Sequence, residues 1–153
     1  MIIVQDSREQ KPYWRNKKNE VETKTLQTGD YTMRGYEHRV SIERKSMADL
    51  FGTVGKGHRR FKNELERGMA MDYFGIYVEG TRERIKNKDF PGSYHSKMRG
   101  YVVLKILDTI KEKYDIDVVY CESRVKCKRA IKKKFSLLES NYKSLNTNKT
   151  EEI

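Results

Sequence analysis

A carboxylate and an ammonium two residues apart on one strand face are the first chemical signal in the chain. The run Val40-Ser41-Ile42-Glu43-Arg44-Lys45 predicts a strand whose Val40, Ile42 and Arg44 point one way and Ser41, Glu43 and Lys45 the other. Gly29-Asp30-Tyr31 opens a second strand-like stretch, and a turn near Gly35 joins the two. A hairpin of these runs sets Asp30 beside Glu43 and Lys45. Two acids that can share a divalent cation, with a lysine next to them, suit phosphodiester hydrolysis. That reaction needs a positioned water, stabilisation of charge on the phosphate and relief for the leaving oxygen. Hard oxygen ligands holding Mg²⁺ contribute to all three.

Asp6 adds a third acid. It follows the apolar run Ile2 to Val4, which fits a central strand covered on both faces, and ligand groups in open α/β sheets collect at strand ends. A plain turn with Asp6 as its cap explains the same residue. Glu9 is an outer acid or an additional ligand. Arg44 points away from Glu43 by strand parity, yet the twist of a strand end lets it pair with an acid or a phosphate. On spacing alone acid…acid-x-Lys is a weak pattern, because chance matches abound in a sequence rich in Glu and Lys. No competing site is visible. Cys121 and Cys127 fit no zinc spacing and read as free thiols in a reducing compartment, and the glycine run from Gly52 to Gly57 lacks the Walker pattern.

The charge balance narrows the partner. The 153 residues carry 33 Lys and Arg against 22 Asp and Glu, a formal net charge of +11. So large an excess points to a polyanion, nucleic acid above all, with a basic surface kept for solubility as the bland alternative. The N-terminus lacks the basic start and long apolar stretch of a signal peptide, and no apolar run approaches a membrane span. The expected setting is intracellular: the cytoplasm of a prokaryotic or virus-infected cell, or a nucleus.

The elements that must position these residues follow in order. Val21 to Leu26 alternates as a strand, after a polar loop from Gln10 to Asn19 whose Tyr13 and Trp14 close over the sheet edge. Ser46-x-x-Asp49 resembles a capping box for a short helix through Leu50 and Phe51, which explains Asp49 without making it a ligand. Gly52 to Gly57 reads as a link into a helix opening at His58, with Phe61, Leu65 and Met69 as its core stripe. Lys56, His58, Arg59 and Arg60 gather at its N-terminal end, where free N–H groups and the helix dipole seat a phosphate; a solvated basic end is the alternative. Tyr73 to Val78 predicts a buried strand, and Thr81 to Ser96 a loop with at most one helical turn. A helix follows on Val103, Ile106, Leu107 and Ile110, then a strand from Ile116 to Tyr120. A final helix capped by Ser123 ends near Ser140. Its run Arg124, Lys126, Lys128, Arg129, Lys132, Lys133 and Lys134 is either a solvated face or a second contact to phosphates. One domain over residues 1–140 and a flexible polar tail over 141–153 result.

Val4-Gln5-Asp6-Ser7-Arg8-Glu9, Gly29-Asp30-Tyr31 and Ile42-Glu43-Arg44-Lys45-Ser46 with Asp49-Leu50 together resemble the nuclease domain of the XPF-type structure-specific endonucleases, which include the archaeal Hef nuclease. The resemblance extends through Gly57 to Glu66 and Val78-Glu79-Gly80, and more loosely to about residue 140. It implies an α/β restriction-endonuclease-like fold, a central mixed sheet flanked by helices. It implies metal-dependent cleavage of DNA near branches, flaps or forks, with Mg²⁺ or Mn²⁺ held by Asp6, Asp30 and Glu43. Lys45 becomes the catalytic lysine, and Arg8, Glu9 and Arg44 take supporting roles. Members commonly carry a tandem helix-hairpin-helix module or a helicase, and the sequence shows neither. Nuclease domains of this kind often dimerise, so the last two helices are candidate surfaces for a homodimer or heterodimer. Two other readings stand beside the enzyme: a non-catalytic DNA-binding partner subunit, which usually loses the acids or the lysine that are all present here, and a same-fold nuclease for another nucleic acid, such as a junction resolvase or an RNA-cutting enzyme.

Overall fold

The computed structural model of the protein describes residues 1–15 and 20–151. Asn16 to Asn19, the last part of the expected Gln10–Asn19 loop, and residues 152–153 lie outside the described residues. A six-stranded mixed sheet forms the centre, with strand order β2-β1-β3-β4-β5-β6. Its strands are β1 (Ile3–Asp6), β2 (Val21–Lys24), β3 (Tyr31–Met33), β4 (Val40–Ser46), β5 (Tyr73–Glu79) and β6 (Asp117–Cys121). β3 runs antiparallel to both β1 and β4, while β4, β5 and β6 are parallel, as are β1 and β2. This is the α/β restriction-endonuclease-like architecture that the sequence implied, a mixed sheet with helices on both faces.

Strand parity sorts the core. Glu43 is in register with Ile76, and Arg44 with Tyr77. Ile76 belongs to the apolar cluster under the helices α1 (Met47–Val54), α2 (His58–Met69) and α4 (Gly100–Tyr114). Tyr77 belongs to the cluster on the other face, with Tyr13, Trp14, Tyr31 and the helix α5 (Arg124–Glu151). Glu43 and Lys45 therefore emerge under α1 and α2, and Arg44 emerges behind them.

Local chemistry sets the helix ends. The Ser46 hydroxyl accepts a hydrogen bond from the Asp49 N–H at 3.1 Å, so Ser46 caps α1 directly after β4. α1 continues through Gly52 to Val54 and leaves only residues 55–57 as the link. The α2 stripe runs through Phe61, Leu65 and Gly68, while Met69 is 51% exposed, which corrects the expected Met69. A Cβ at residue 68 would stand 2.3 Å from the Phe74 ring, so the helix packs there only as glycine. The expected loop over 81–96 holds two short helical pieces. One is α3 (Arg82–Lys86), capped by the Thr81 hydroxyl, and the other is a 3₁₀ turn at Ser93–His95.

The expected flexible tail is helical. α5 continues past Ser140 to Glu151. Its apolar stripe runs through Cys127, Ile131, Phe135 and Leu138 and ends on Tyr142, which stacks on Tyr36 at 5.0 Å and donates to Asp72 at 2.9 Å. Tyr142 thus extends the packed face into the stretch read as tail. Four of the seven cations at the start of α5 also have local employment. Arg124 stands over Tyr13, Lys128 over Trp14, Lys134 over Tyr73, and Lys126 pairs with Glu122.

Gly29 makes the sharpest demand on the backbone. Its φ is +76°, and a Cβ there would lie 1.9 Å from the Ser41 Oγ. Gly29→Ala is expected to lower stability by at least about 2 kcal/mol in urea unfolding. Adding Ser41→Ala should recover part of the loss, and full stability in the single variant would refute this account of the turn.

Candidate active site

The cleft opens where β1 and β4 end and β3 begins, beneath α2. Asp6 closes β1, and its N–H donates to the Asp30 carbonyl at 2.8 Å. The Asp30 N–H donates to the Ile42 carbonyl at 2.9 Å, and the Arg44 N–H donates to Asp30 Oδ2 at 2.7 Å. Asp30 is thereby pinned between two strands, with its carboxylate oriented by the backbone of β4. Glu43 and Lys45 leave that strand on the same face and form an ion pair at 3.1 Å. The Lys45 Nζ also donates to Thr53 Oγ1 on α1 at 3.3 Å. A cleft of about 410 Å³ is lined by Asp6, Arg8, Asp30, Glu43, Arg60 and Glu64, among others. A second cleft adjoins it along α1; it shares Arg60 and Glu64 with the first and is lined by Lys45 and Thr53.

Like charges are crowded here. Burial pushes the Asp30 carboxyl up to about 7, and the nearby Glu9 charge adds to it. Burial likewise raises Glu43 well above the usual carboxylate range, with Asp30 and Glu64 as further causes. Burial alone would lower Lys45, but the charges of Glu43 and Glu64 outweigh it, so the ammonium is held more firmly than usual. A buried group of acids that resists full ionisation is the electrostatic condition that a hard cation relieves.

The sequence-predicted residues divide into three groups. Asp30, Glu43 and Lys45 come together. Asp6 reaches the same cleft but is already engaged: Arg8 holds Oδ2 at 3.1 Å, and the Leu26 N–H donates to Oδ1 at 2.9 Å. Arg8 also donates to the Leu26 carbonyl at 2.6 Å. Glu9 and Arg44 lie on the opposite face, where the Arg44 guanidinium is clamped between Glu9 at 3.3 Å and Glu79 at 2.5 Å. That pairing engages both Glu9 oxygens with Arg44. Of the basic residues at the start of α2, Arg60 lines both clefts. Lys56 and Arg59 line neither, and His58 turns back to the Gly55 carbonyl at 3.2 Å.

Sequence reasoning missed two acids. Glu64 flanks the Phe61–Leu65 stripe of α2 and reaches the site from above. Glu79 ends β5 two residues after Tyr77, on the Arg44 face, so strand parity was the signal for it. The donor set of Asp30, Glu43 and Glu64 is carboxylate oxygen throughout, which suits Mg²⁺ or Mn²⁺. Among the described residues no group of three or more His, Cys, Asp or Glu stands close enough to form a closed cage. Asp30 and Glu43 are then the pair that would hold a cation, with water and phosphate oxygens completing it.

A model of the ERCC4 domain matches residues 5–146 of the chain. No curated protein matches it in sequence. Among solved structures it is similar to XPF from Aeropyrum pernix, with 18% identity and a TM-score of 0.66 over 90% of this chain and 61% of that one. It is also similar to XPF from Aeropyrum pernix in complex with DNA, with 17% identity and a TM-score of 0.62 over 91% and 64%. The chain thus spans less than two thirds of the length of these structures, and the likeness is one of fold.

The crowded acids make stability depend on pH. Between about pH 4 and 7 the folded state keeps a proton on Asp30 that the unfolded chain has released. Stability is therefore present at low pH and lost as the pH rises through that window. The metal-free protein is expected to show a falling Tm from pH 5 to pH 8. Asp30→Asn should flatten that slope and raise Tm at pH 8 by roughly 5 °C. A wild-type Tm that climbs over this range would contradict the assigned electrostatics.

Proposed function

The chain belongs to the ERCC4 domain family, and on that premise we propose that it is a metal-dependent DNA endonuclease acting at branched, flap or fork structures. The observation that carries this reading is the convergence of Asp30, Glu43 and Lys45 on one face of the sheet, beside two adjoining clefts that share Arg60. Two further points support it. The α2 N-terminus has no side-chain cap and no acid in its first turn, so its free N–H groups suit a phosphate. The residues proposed as metal ligands, Asp6, Asp30 and Glu43, are present with Lys45 and the excess of cations, which disfavours the partner-subunit alternative. A junction resolvase of the same fold remains the second enzyme reading, and the ranking of substrates separates the two.

In this mechanism Asp30 and Glu43 would hold the cation, Mg²⁺ or Mn²⁺, with Asp6 at the rim of the set. When bound, the ion would supply Lewis-acid stabilisation of the phosphate and activation of the attacking water. The chain's own residues do the rest. Thr53 and Glu43 fix the Lys45 ammonium, which stays charged and balances negative charge at the scissile phosphate. Arg60 draws the DNA backbone into the cleft, and Arg8 orients Asp6. Arg44 is assigned a positioning role from behind β4.

Among the described residues no helix is long and apolar enough to cross a membrane. We place the protein inside the cell with its DNA, and we assign residues 1–140, together with the stretch of α5 that packs through Tyr142, as the nuclease domain. α4 and the exposed Leu137 and Leu145 of α5 are the surfaces proposed for a homodimer or heterodimer.

Labelled flap, fork, four-way and plain duplex DNA, each with Mg²⁺, Mn²⁺ or EDTA, provide the test. Cutting is expected only with metal, and best on branched substrates. Glu43→Gln and Asp30→Asn should each lower the rate by roughly a thousandfold or more while binding stays intact or tightens. Unchanged cutting in both variants would remove the assigned site. Arg60→Ala should weaken binding and flatten the salt dependence by about one unit of slope, and an unaltered slope would mean that Arg60 meets no phosphate.

A further inference from the structure

Outside the cleft, one surface combines exposed aromatic rings with unopposed positive charge. Tyr94 is 82% exposed and Tyr101 57%. Both lie in residues 90–107, which include His95, Lys97, Arg99 and Lys105 and contain no Asp or Glu. An aromatic ring as exposed as Tyr94 calls for a partner, and the cations of the same segment call for a polyanion.

The segment is held in place from below. Gly92, with φ +80°, turns the chain into the 3₁₀ turn Ser93–His95. The Tyr94 ring lies against the His95 ring, with centroids 4.1 Å apart and planes at 38°. The Lys88 ammonium donates to the Ser96 carbonyl at 2.6 Å, and the Met98 N–H donates to the Ser96 hydroxyl at 3.2 Å. Phe90 packs on Phe51 of α1 at 4.9 Å. A Cβ at Gly55, just after α1, would stand 3.5 Å from the Met98 side chain. The same α1 lines the cleft on its other side, where Thr53 meets Lys45. The aromatic surface and the cleft thus share one helix as a wall.

We propose that Tyr94 is a stacking platform for unpaired bases of a DNA strand whose backbone runs past His95, Lys97 and Arg99 on its way to the cleft. The proposal rests on the endonuclease reading and deepens it by naming how an unpaired strand is recognised. Every base has a π-face, so stacking tolerates any sequence, and cations along the strand supply affinity without base readout. In an intact duplex the bases are already stacked on one another and leave the platform unused. A frayed, flapped or forked end offers free bases, so the platform discriminates by structure. A second copy of this chain would face the same cations across the surface, and that repulsion disfavours it as the occupant.

The test is fluorescence anisotropy in EDTA, with a labelled duplex bearing a short single-stranded tail and the same duplex blunt-ended. Tyr94→Ala is expected to weaken binding of the tailed DNA about tenfold and to leave the blunt duplex unchanged. Tyr94→Trp should bind the tailed DNA at least as tightly as wild type. The exposure of Tyr94 keeps folding out of the result, and an unchanged Tm verifies this. Equal losses on both DNAs, no loss on the tailed DNA, no binding of tailed DNA by wild type, or a changed oligomeric state in sedimentation would each overturn the platform. Cleavage with Mg²⁺ is measured in parallel. Wild type that does not cut while the tail-specific loss persists removes the endonuclease reading and keeps the platform. Wild type that cuts while Tyr94→Ala binds the tail normally does the reverse.

Discussion

Arg44 ties the two faces of the sheet together. Its backbone N–H orients the Asp30 carboxylate on one side, and its guanidinium is locked between Glu9 and Glu79 on the other. Glu79 in turn accepts a hydrogen bond from the Tyr13 hydroxyl at 2.9 Å and pairs with Arg124 at the start of α5 at 3.7 Å. A buried cation between two carboxylates gains little over a well-packed apolar substitute, but losing one partner leaves an uncompensated charge, which is costly. The cluster therefore acts as a register pin. It fixes β4 against β5, the aromatic loop and α5, and so sets where Glu43 and Lys45 emerge on the opposite face. Electrostatics that look structural on one side of a strand determine the geometry of the chemistry on the other.

The front face makes the opposite bargain. Asp30, Glu43 and Glu64 repel one another, and burial deprives them of water. Lys45 relieves part of this through its ion pair with Glu43. A fold under no demand but stability would not keep such a group, since replacing one acid with a neutral residue removes the repulsion. Strain of this kind is stored where it serves function. A divalent cation bound between Asp30 and Glu43 would convert the repulsion into attraction, so that ion binding and folding reinforce each other.

Much of this arrangement was legible in the sequence. Strand parity in Val40 to Lys45 separated Glu43 and Lys45 from Arg44, and the Gly29-Asp30 turn announced its partner strand. The ends of elements were less legible because packing sets them. Phe74 forces Gly68 rather than Met69 into the α2 stripe, and Tyr142 carries α5 beyond its polar composition by reaching Tyr36 and Asp72. Glu64 was hidden because a helical acid beside a core stripe resembles any solvated position until the sheet beneath it is known. Glu9 was left open between an outer acid and an additional ligand because it follows Asp6 closely in sequence. A strand end can send neighbouring acids to opposite faces, and only the position of Arg44 decides which way Glu9 turns.

The excess of positive charge is not spread evenly in function. At the start of α5, Arg124, Lys126, Lys128 and Lys134 are engaged with Glu79, Glu122, Trp14 and Tyr73, so that stretch serves packing and pairing first. Long side chains lying over aromatic rings cover apolar surface as much as they present charge. Arg60 faces the cleft, and Lys97 and Arg99 flank the exposed rings across α1 from it. A polyanion would be drawn to cations that the fold has not already engaged, because breaking an existing pair offsets the gain from a new one. By that criterion the start of α5 offers a polyanion Arg129, Lys132 and Lys133 out of its seven cations, fewer than its dense run of lysines in sequence suggests.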